Sequence, residues 1–485
     1  MQRDLEEAGV AQSGRAGERD SEKAVQMELE AYPANFYAWY CVVVLFGIYI
    51  NSFLDRQILS LLVPPIKADM ALSDTQMGFL GGPAFALFYI VAGLPIGWLA
   101  DRMSRRLLVG LGQLFWASAT FAFGLSRSFG QMAAARIGVG IGESTLSPSA
   151  YSLITDLFPP NRLAFALSVY GMGIYVGSGL ASLVGGYALD AMGVRTGPGA
   201  QSATYVLPFV GERQAWQVVF FVVALPTLPL SLLLLTVREP LRRGVLRVRN
   251  ASGELRAPSV PFGRFLAYLR AHRSTILCHN VGFAFLSFSG YGAAFWTPAL
   301  FTRVHGWELA YVGKVLGWVT ILAGPAGTLC GGWLADRLLE RGHVDARVRV
   351  ALVAAICWLP FGVLYPLMPT GFGSVLLMIP ATFLAASFWG IAPAAIQQLV
   401  PSQMRGQASA VYLFVVNLLG LAFGPQLLAV LTDYVFQDEM KVHYSLATVG
   451  AAAHLLAALF LYLCLRRFRA SLGDTARWQA SNASG

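Results

Sequence analysis

Apolar runs of about twenty residues follow one another along nearly the whole chain, with the charged residues gathered between them. Wound as a helix, such a run crosses hydrocarbon and satisfies its own backbone hydrogen bonds. A chain made of many of them is therefore expected to be an all-α integral membrane protein. Twelve spans read at 38–64, 75–100, 107–125, 129–157, 163–190, 215–237, 273–301, 309–335, 348–368, 372–399, 406–434 and 442–465. The chain has 485 residues, 56% hydrophobic and 13% charged, where soluble domains carry about 25% charged.

The net charge of +9 points to orientation and not to nucleic acid, because the arginines cluster in alternate loops. With the N-terminus inside, the inner loops hold Arg102, Arg105, Arg106, Arg162, the connection 238–272, Arg337, Arg341, Arg347, Arg349 and Arg405, and the tail adds Arg466, Arg467 and Arg469. The other loops are poor in basic residues, so both termini are expected in the cytoplasm of a multi-pass protein of the cell (inner or plasma) membrane. Residues 1–36 are polar, lack the apolar core of a secretory signal and read as a disordered cytoplasmic segment. The five cysteines are scattered without metal spacing, so neither disulfides nor a metal or cofactor are expected.

The chain repeats itself. GWLADRMSRRL at 97–107 returns as GWLADRLLERG at 332–342, and FPPNRLAFALSVY at 158–170 is echoed by VPSQMRGQASAVY at 400–412. This divides the chain into a six-helix bundle at 37–237, a basic linker at 238–272, a second bundle at 273–468 and a tail at 469–485. Two parallel, pseudo-symmetric six-helix halves are a transporter signature. Within the linker, Phe262–Arg273 is basic and amphipathic, suited either to anionic headgroups or to a simple solvated connection. The fourth span carries Arg136, Gly140, Glu143 and Ser147 on one face. Charge at the bilayer centre costs at least about 2.5–3.5 kcal/mol, so this stripe should face partner helices or a water-filled cavity.

GWLADRMSRR is similar to the loop between the second and third helices of the major facilitator superfamily, with Ser104 replacing one glycine of the pattern. The resemblance runs over 37–468. RIGVGIGESTLSPSAYSLITDLFPPNRLAFALSVYGMGIYVGSGLASLVGG and FLDRQILSLLVPPIKADMALSDTQMGFL resemble the Spinster branch of that superfamily. That likeness implies a proton-influenced lipid transporter moving lysophospholipids or sphingosine phosphate, with the first and fourth helices lining a central cavity.

Asn51 and Asp55, four apart, share a face of the first span, and Asp55 falls at a depth between Arg136 and Glu143. Arg136 is expected to pair with ionised Asp55 and to be released when Asp55 is protonated, making Asp55 and Glu143 the proton-coupling acids. Arg56, about 100° round the helix, either snorkels outward or holds an anionic headgroup. Asn280, Ser287 and Tyr291 on the seventh span, with Trp389 and Gln397 on the tenth, form a milder wall for the rest of an amphipathic substrate, beside Ser147. Ordinary interhelical packing is the alternative for each. Asp101, Arg102, Arg105, Arg106, Asp336 and Arg337 are expected at a cytoplasmic gate.

No HExxH, GxSxG or phosphate-binding GxxxxGK[ST] occurs, so enzyme chemistry and ATP coupling are not expected. The partners expected are an amphipathic lipid or small molecule, protons and membrane lipid, on a monomer. An organic-anion symporter or a drug–proton antiporter of the same superfamily is the alternative.

Overall fold

A computed structural model describes residues 32–100, 103–158, 160–192, 204–208, 210–240, 248–249, 255–256, 262–401 and 404–483. Asp101, Arg102, most of the 1–36 segment and much of the linker lie outside the described residues. What is described is almost all helix. Ten of the helices are long and apolar enough to cross a membrane. The fourth span (Phe129–Glu143 and Leu146–Leu157) and the seventh (Arg273–Arg303) complete the series of twelve. They fall outside the ten because small and polar residues dilute their hydropathy.

Local sequence explains where the helices start and bend. Ser73 opens the second span (Asp74–Gly81, then Pro83–Ala100) with a capping box to Gln76. Ser104 caps the third (Arg105–Leu125) by accepting from the Leu107 amide. The fourth span breaks at Ser144–Thr145, and the tenth (Gly371–Ala386, then Ile391–Gln398) breaks between Ala386 and Ile391. The eleventh runs through two π-helical turns, Asn417–Ala422 and Leu431–Phe436. Between the fifth span (Pro160–Gly171, then Gly173–Ala191) and the sixth (Ala215–Ala224, then Thr227–Thr236) stands an antiparallel hairpin, Thr204–Leu207 with Gly211–Gln214. The linker contributes a helix, Phe262–Ala271. The last helix, Val442–Ala483, continues through most of the stretch read as a tail.

Within the N-terminal half the first span (Asn35–Leu61) packs on the fifth, and the fourth on the second and third. Within the other half the seventh and ninth (Ala346–Leu367) pack on the twelfth. The halves join along the fifth and eighth (Leu309–Glu340) spans and along the second and eleventh. The first seam is backbone on backbone. A Cβ on Gly179 would fall 2.8 Å from the Gly317 carbonyl oxygen, and one on Gly313 2.6 Å from that of Ser182.

Among the described residues, the ion pairs joining the halves lie opposite the basic loops. Arg303 donates to both oxygens of Asp74 (2.6 and 2.7 Å), Lys67 bridges Asp74 and Glu439, and Lys314 pairs with Asp190 (2.5 Å). Asp433 accepts from the amide and hydroxyl of Thr75, each at 2.6 Å. On the basic side, the pairs made by Arg105 and Asp345 stay within one half. The molecule is therefore shut on the face opposite its basic loops.

Candidate functional site

The first span fixes the site through two faces one residue apart. Ser52 and Arg56, four residues apart, turn toward the fourth span, where Ser52 Oγ donates to Glu143 Oε2 at 2.6 Å and Arg56 Nε donates to the same oxygen at 2.5 Å. Glu143 is wholly buried, so this is a desolvated, charge-assisted pair. The Arg56 guanidinium carbon also stands 4.7, 4.8 and 5.0 Å from the ring centroids of Phe53, Phe85 and Tyr89, an aromatic clamp that holds its planar fork. Of its two sequence readings, outward snorkelling is overturned: the side chain is 10% exposed and lines the central cavity.

The Asn51–Asp55 face turns elsewhere, which corrects the expected geometry. Asn51 Nδ2 donates to Thr227 Oγ1 of the sixth span at 3.0 Å. Asp55 is 1% exposed, does not line the cavity and has no hydrogen bond on either carboxylate oxygen. Trp116 and Thr120 of the third span adjoin it, and their Nε1 and Oγ1 are likewise unpartnered. The expected Arg136–Asp55 ion pair is not made. Arg136 donates instead to the backbone carbonyls of Leu80 (3.2 Å) and Asp55 (3.3 Å), and lies 5.4 Å from the Phe85 ring centroid. What Arg136 reaches on the first span is the Asp55 backbone carbonyl and not its carboxylate. Ser147 accepts from Tyr89 Oη at 3.4 Å and is not part of the cavity wall.

The cavity, about 180 Å³, lies between the halves. Arg56, Phe85 and Arg136 line its N-terminal side, and Tyr291, Trp358, Tyr365 and Trp389 line the other. Tyr291 and Trp389, both expected from the sequence, meet edge to face at 5.6 Å. Asn280, Ser287 and Gln397 do not reach it. Asn280 Oδ1 is 3.0 Å from His279 Nδ1, Ser287 is buried against Gly420, and exposed Gln397 donates to Ser409 Oγ at 3.3 Å. Sequence reasoning missed Ser52, although its four-residue spacing to Arg56 signals a shared face. It also missed Trp358 and Tyr365, whose span carries no polar stripe to mark it.

At the expected gate the two copies of the repeated loop differ. Arg105, 1% exposed, pairs with Asp156 and donates to Glu239 (2.7 Å), Ser152 (2.7 Å) and the Pro240 carbonyl (3.1 Å). Arg106 donates its amide to Glu239 at 3.0 Å and its guanidinium to the Val237 carbonyl at 3.0 Å. Burial alone would raise the Glu239 carboxyl, but hydrogen bonds from Arg105, the Arg106 amide and Ser104 hold it below its ordinary range. Arg105, expected at a cytoplasmic gate, thus staples the third and fourth spans to the chain just beyond the sixth, all within one half. In the second copy its place is taken by Glu340, which accepts from Arg337 at 3.1 Å, and Asp336 is exposed. There the buried acid is Asp345, held by Arg349 (2.7 Å) and Arg469 (3.0 Å).

The model of the Major Facilitator Superfamily matches residues 45–425. An "MFS-type efflux pump" of Mycolicibacterium smegmatis is 31% identical over 448 residues, covering 91% of this chain and 95% of that protein. Human "Protein spinster homolog 1" is 26% identical over 460 residues, 86% of this chain and 80% of that protein. Among solved structures, a bacterial homologue of the human lysosomal transporter Spinster, inward-facing and unoccupied, superposes with a TM-score of 0.67 at 24% identity, covering 92% of this chain and 99% of that one. With twelve spans in two halves and a cavity between them, the chain belongs to the major facilitator superfamily of multi-pass membrane transporters, which are not enzymes, and is Spinster-like within it.

Proposed function

We propose that this transporter carries an amphipathic anionic lipid, such as a lysophospholipid or sphingosine phosphate, by gradient-driven alternating access coupled to protons. The observation that carries this reading is the buried guanidinium of Arg56, set in an aromatic clamp beside Arg136 at the wall of a largely apolar chamber. An anionic headgroup competes with Glu143 for that fork, and the aromatic side opposite suits the first part of a tail. At about 180 Å³ the chamber is smaller than the roughly 300–1,000 Å³ usual for ligand pockets. In this state a lipid's tail extends beyond it.

Glu143 and Asp55 are the proposed proton sites. A proton on Glu143 frees Arg56 for the headgroup. Asp55, with both oxygens unpartnered, is placed to hold a proton against the third span. The basic loops, by the orientation rule, lie in the cytoplasm with both termini, so the shut face is external. The chamber lies within a single chain, in keeping with a monomer. The deciding experiment is flux in purified proteoliposomes for lysolipids, sphingosine phosphate and small organic anions, with and without a pH gradient. Lysolipid flux that rises with the gradient is expected; equal flux of small anions with none of lysolipid would overturn the reading. The identity to an efflux pump favours a second reading, proton-driven extrusion of amphipathic drugs, which the same assay detects with a cationic dye as cargo.

A further inference from the structure

The linker helix Phe262–Ala271 is built into the C-terminal half. Phe265 and Tyr268 are buried in its core, and Tyr268 Oη donates to the Leu399 carbonyl at 2.8 Å, where the second helix of the tenth span ends. His272 stacks on Tyr268 with ring centroids 4.3 Å apart, and its Nε2 lies 3.7 Å from Asp474. Thr275 Oγ1 lies 2.8 Å from Ser471 Oγ, so the start of the seventh span and the end of the twelfth are joined at the same level. The apolar side of the linker helix is thus already occupied.

Its other side is basic and exposed. Arg264, Arg270 and Arg273 face outward, and Arg466 and Arg467 add to them from the adjoining twelfth span. None of these five forms an ion pair among the described residues. The Arg466 guanidinium lies 5.7 Å from the ring centroid of Tyr462, itself exposed. A tyrosine and an arginine where the apolar stretch of a helix gives way to basic residues mark the level of the membrane interface. Orientation alone calls only for positive charge on this side. It does not call for a folded helix whose buried tyrosine ties it to the broken tenth span, whose Met378, Ala381, Thr382, Ala385 and Trp389 line the cavity.

We propose that this arginine rim is a docking surface for anionic phospholipid headgroups of the adjoining leaflet, and that through Tyr268 the docked leaflet steadies the second helix of the tenth span. Near an anionic surface each arginine contributes about fivefold in partitioning, and the contribution falls with salt. The inference does not rest on the identity of the transported substrate.

Hydrogen exchange of the full-length protein in nanodiscs tests it, comparing phosphatidylcholine alone with phosphatidylcholine plus phosphatidylglycerol. Amides of 262–271 and 391–398 should exchange several-fold more slowly with phosphatidylglycerol, and added salt should reduce the difference. The triple variant Arg264→Gln, Arg270→Gln, Arg273→Gln should lose it, and the triple Lys variant, which keeps the charge, should retain it. Tyr268→Phe should keep the lipid effect on 262–271 and lose it on 391–398. Equal exchange in both lipids, or an undiminished difference in the Gln variant, overturns the docking surface. A lipid effect on 391–398 that survives Tyr268→Phe overturns the coupling and leaves the docking.

Discussion

The two halves share a fold and a repeated loop, yet they face the cavity with opposite chemistry. At the repeat's 235-residue offset Arg56 corresponds to Tyr291, and both line the chamber. On one side the guanidinium is locked to a wholly buried glutamate; on the other the tyrosine leans edge-on against Trp389. The basic-side loops diverge in the same way, Arg105 being replaced by Glu340. A duplicated scaffold thus leaves each half free to specialise, one for charge and one for apolar and aromatic contact.

That division can be broken most severely at Arg56. Arg56→Ala strands Glu143 in the core, so a loss of about 3–5 kcal/mol in stability and of lipid flux is expected. Thermal unfolding and proteoliposome flux measure both. Adding Glu143→Gln should recover part of the stability, because the pair is coupled. Wild-type stability and flux in Arg56→Ala would mean that the N-terminal wall is not organised by charge.

Trp389→Ala probes the other wall. It should weaken binding of lysolipids about tenfold, or about 1.4 kcal/mol, while binding of small anions stays unchanged when read by tryptophan-independent calorimetry. A parallel loss for both ligands would show that the aromatic side does not read the tail.

Asp55→Asn separates coupling from architecture. Because neither carboxylate oxygen is hydrogen-bonded, the amide should cost under about 1 kcal/mol. The dependence of flux on pH should flatten. An unaltered pH profile would move the proton site to Glu143 alone.

The smallest effect compares the two basic-side staples. Glu239 and Asp345 are both held below their ordinary range: burial opposes ionisation in each, but Arg105 with Ser104 in one case, and Arg349 with Arg469 in the other, outweigh it. A depressed folded value gives stability that is present above the unfolded pKa, about 4.3 for Glu and 3.9 for Asp, and lost as pH falls through the folded value. Glu239→Gln and Asp345→Asn should therefore each reduce the acid-side fall of the unfolding midpoint and leave the midpoint's slope near neutrality unchanged. A change confined to neutral pH would contradict this.

The spans, the duplication and the stripe on the fourth helix were legible because hydropathy and spacing are local properties. The fourth and seventh spans show where that signal thins, since the helices nearest the cavity trade apolar residues for small and polar ones. The rotation of the first helix was not legible. Asn51–Asp55 and Ser52–Arg56 are equally good four-residue pairs, and only packing against the third, fourth and sixth spans decides which pair meets Glu143. Trp358 and Tyr365 were hidden for a different reason: an aromatic residue in an apolar span reads the same whether it faces lipid, core or cavity.

The glycine seam between the fifth and eighth spans bears on how the face opposite the basic loops can part. Closure there rests on main chain against main chain, at Gly179 with Gly317 and at Gly313 with Ser182. Where the two backbones meet this closely, no side chain fits between the spans. Apart from the Lys314–Asp190 pair, few side chains need a new rotamer when the seam parts. A single methyl group at Gly317 would fall 2.8 Å from the Gly179 carbonyl oxygen and should leave the seam ajar.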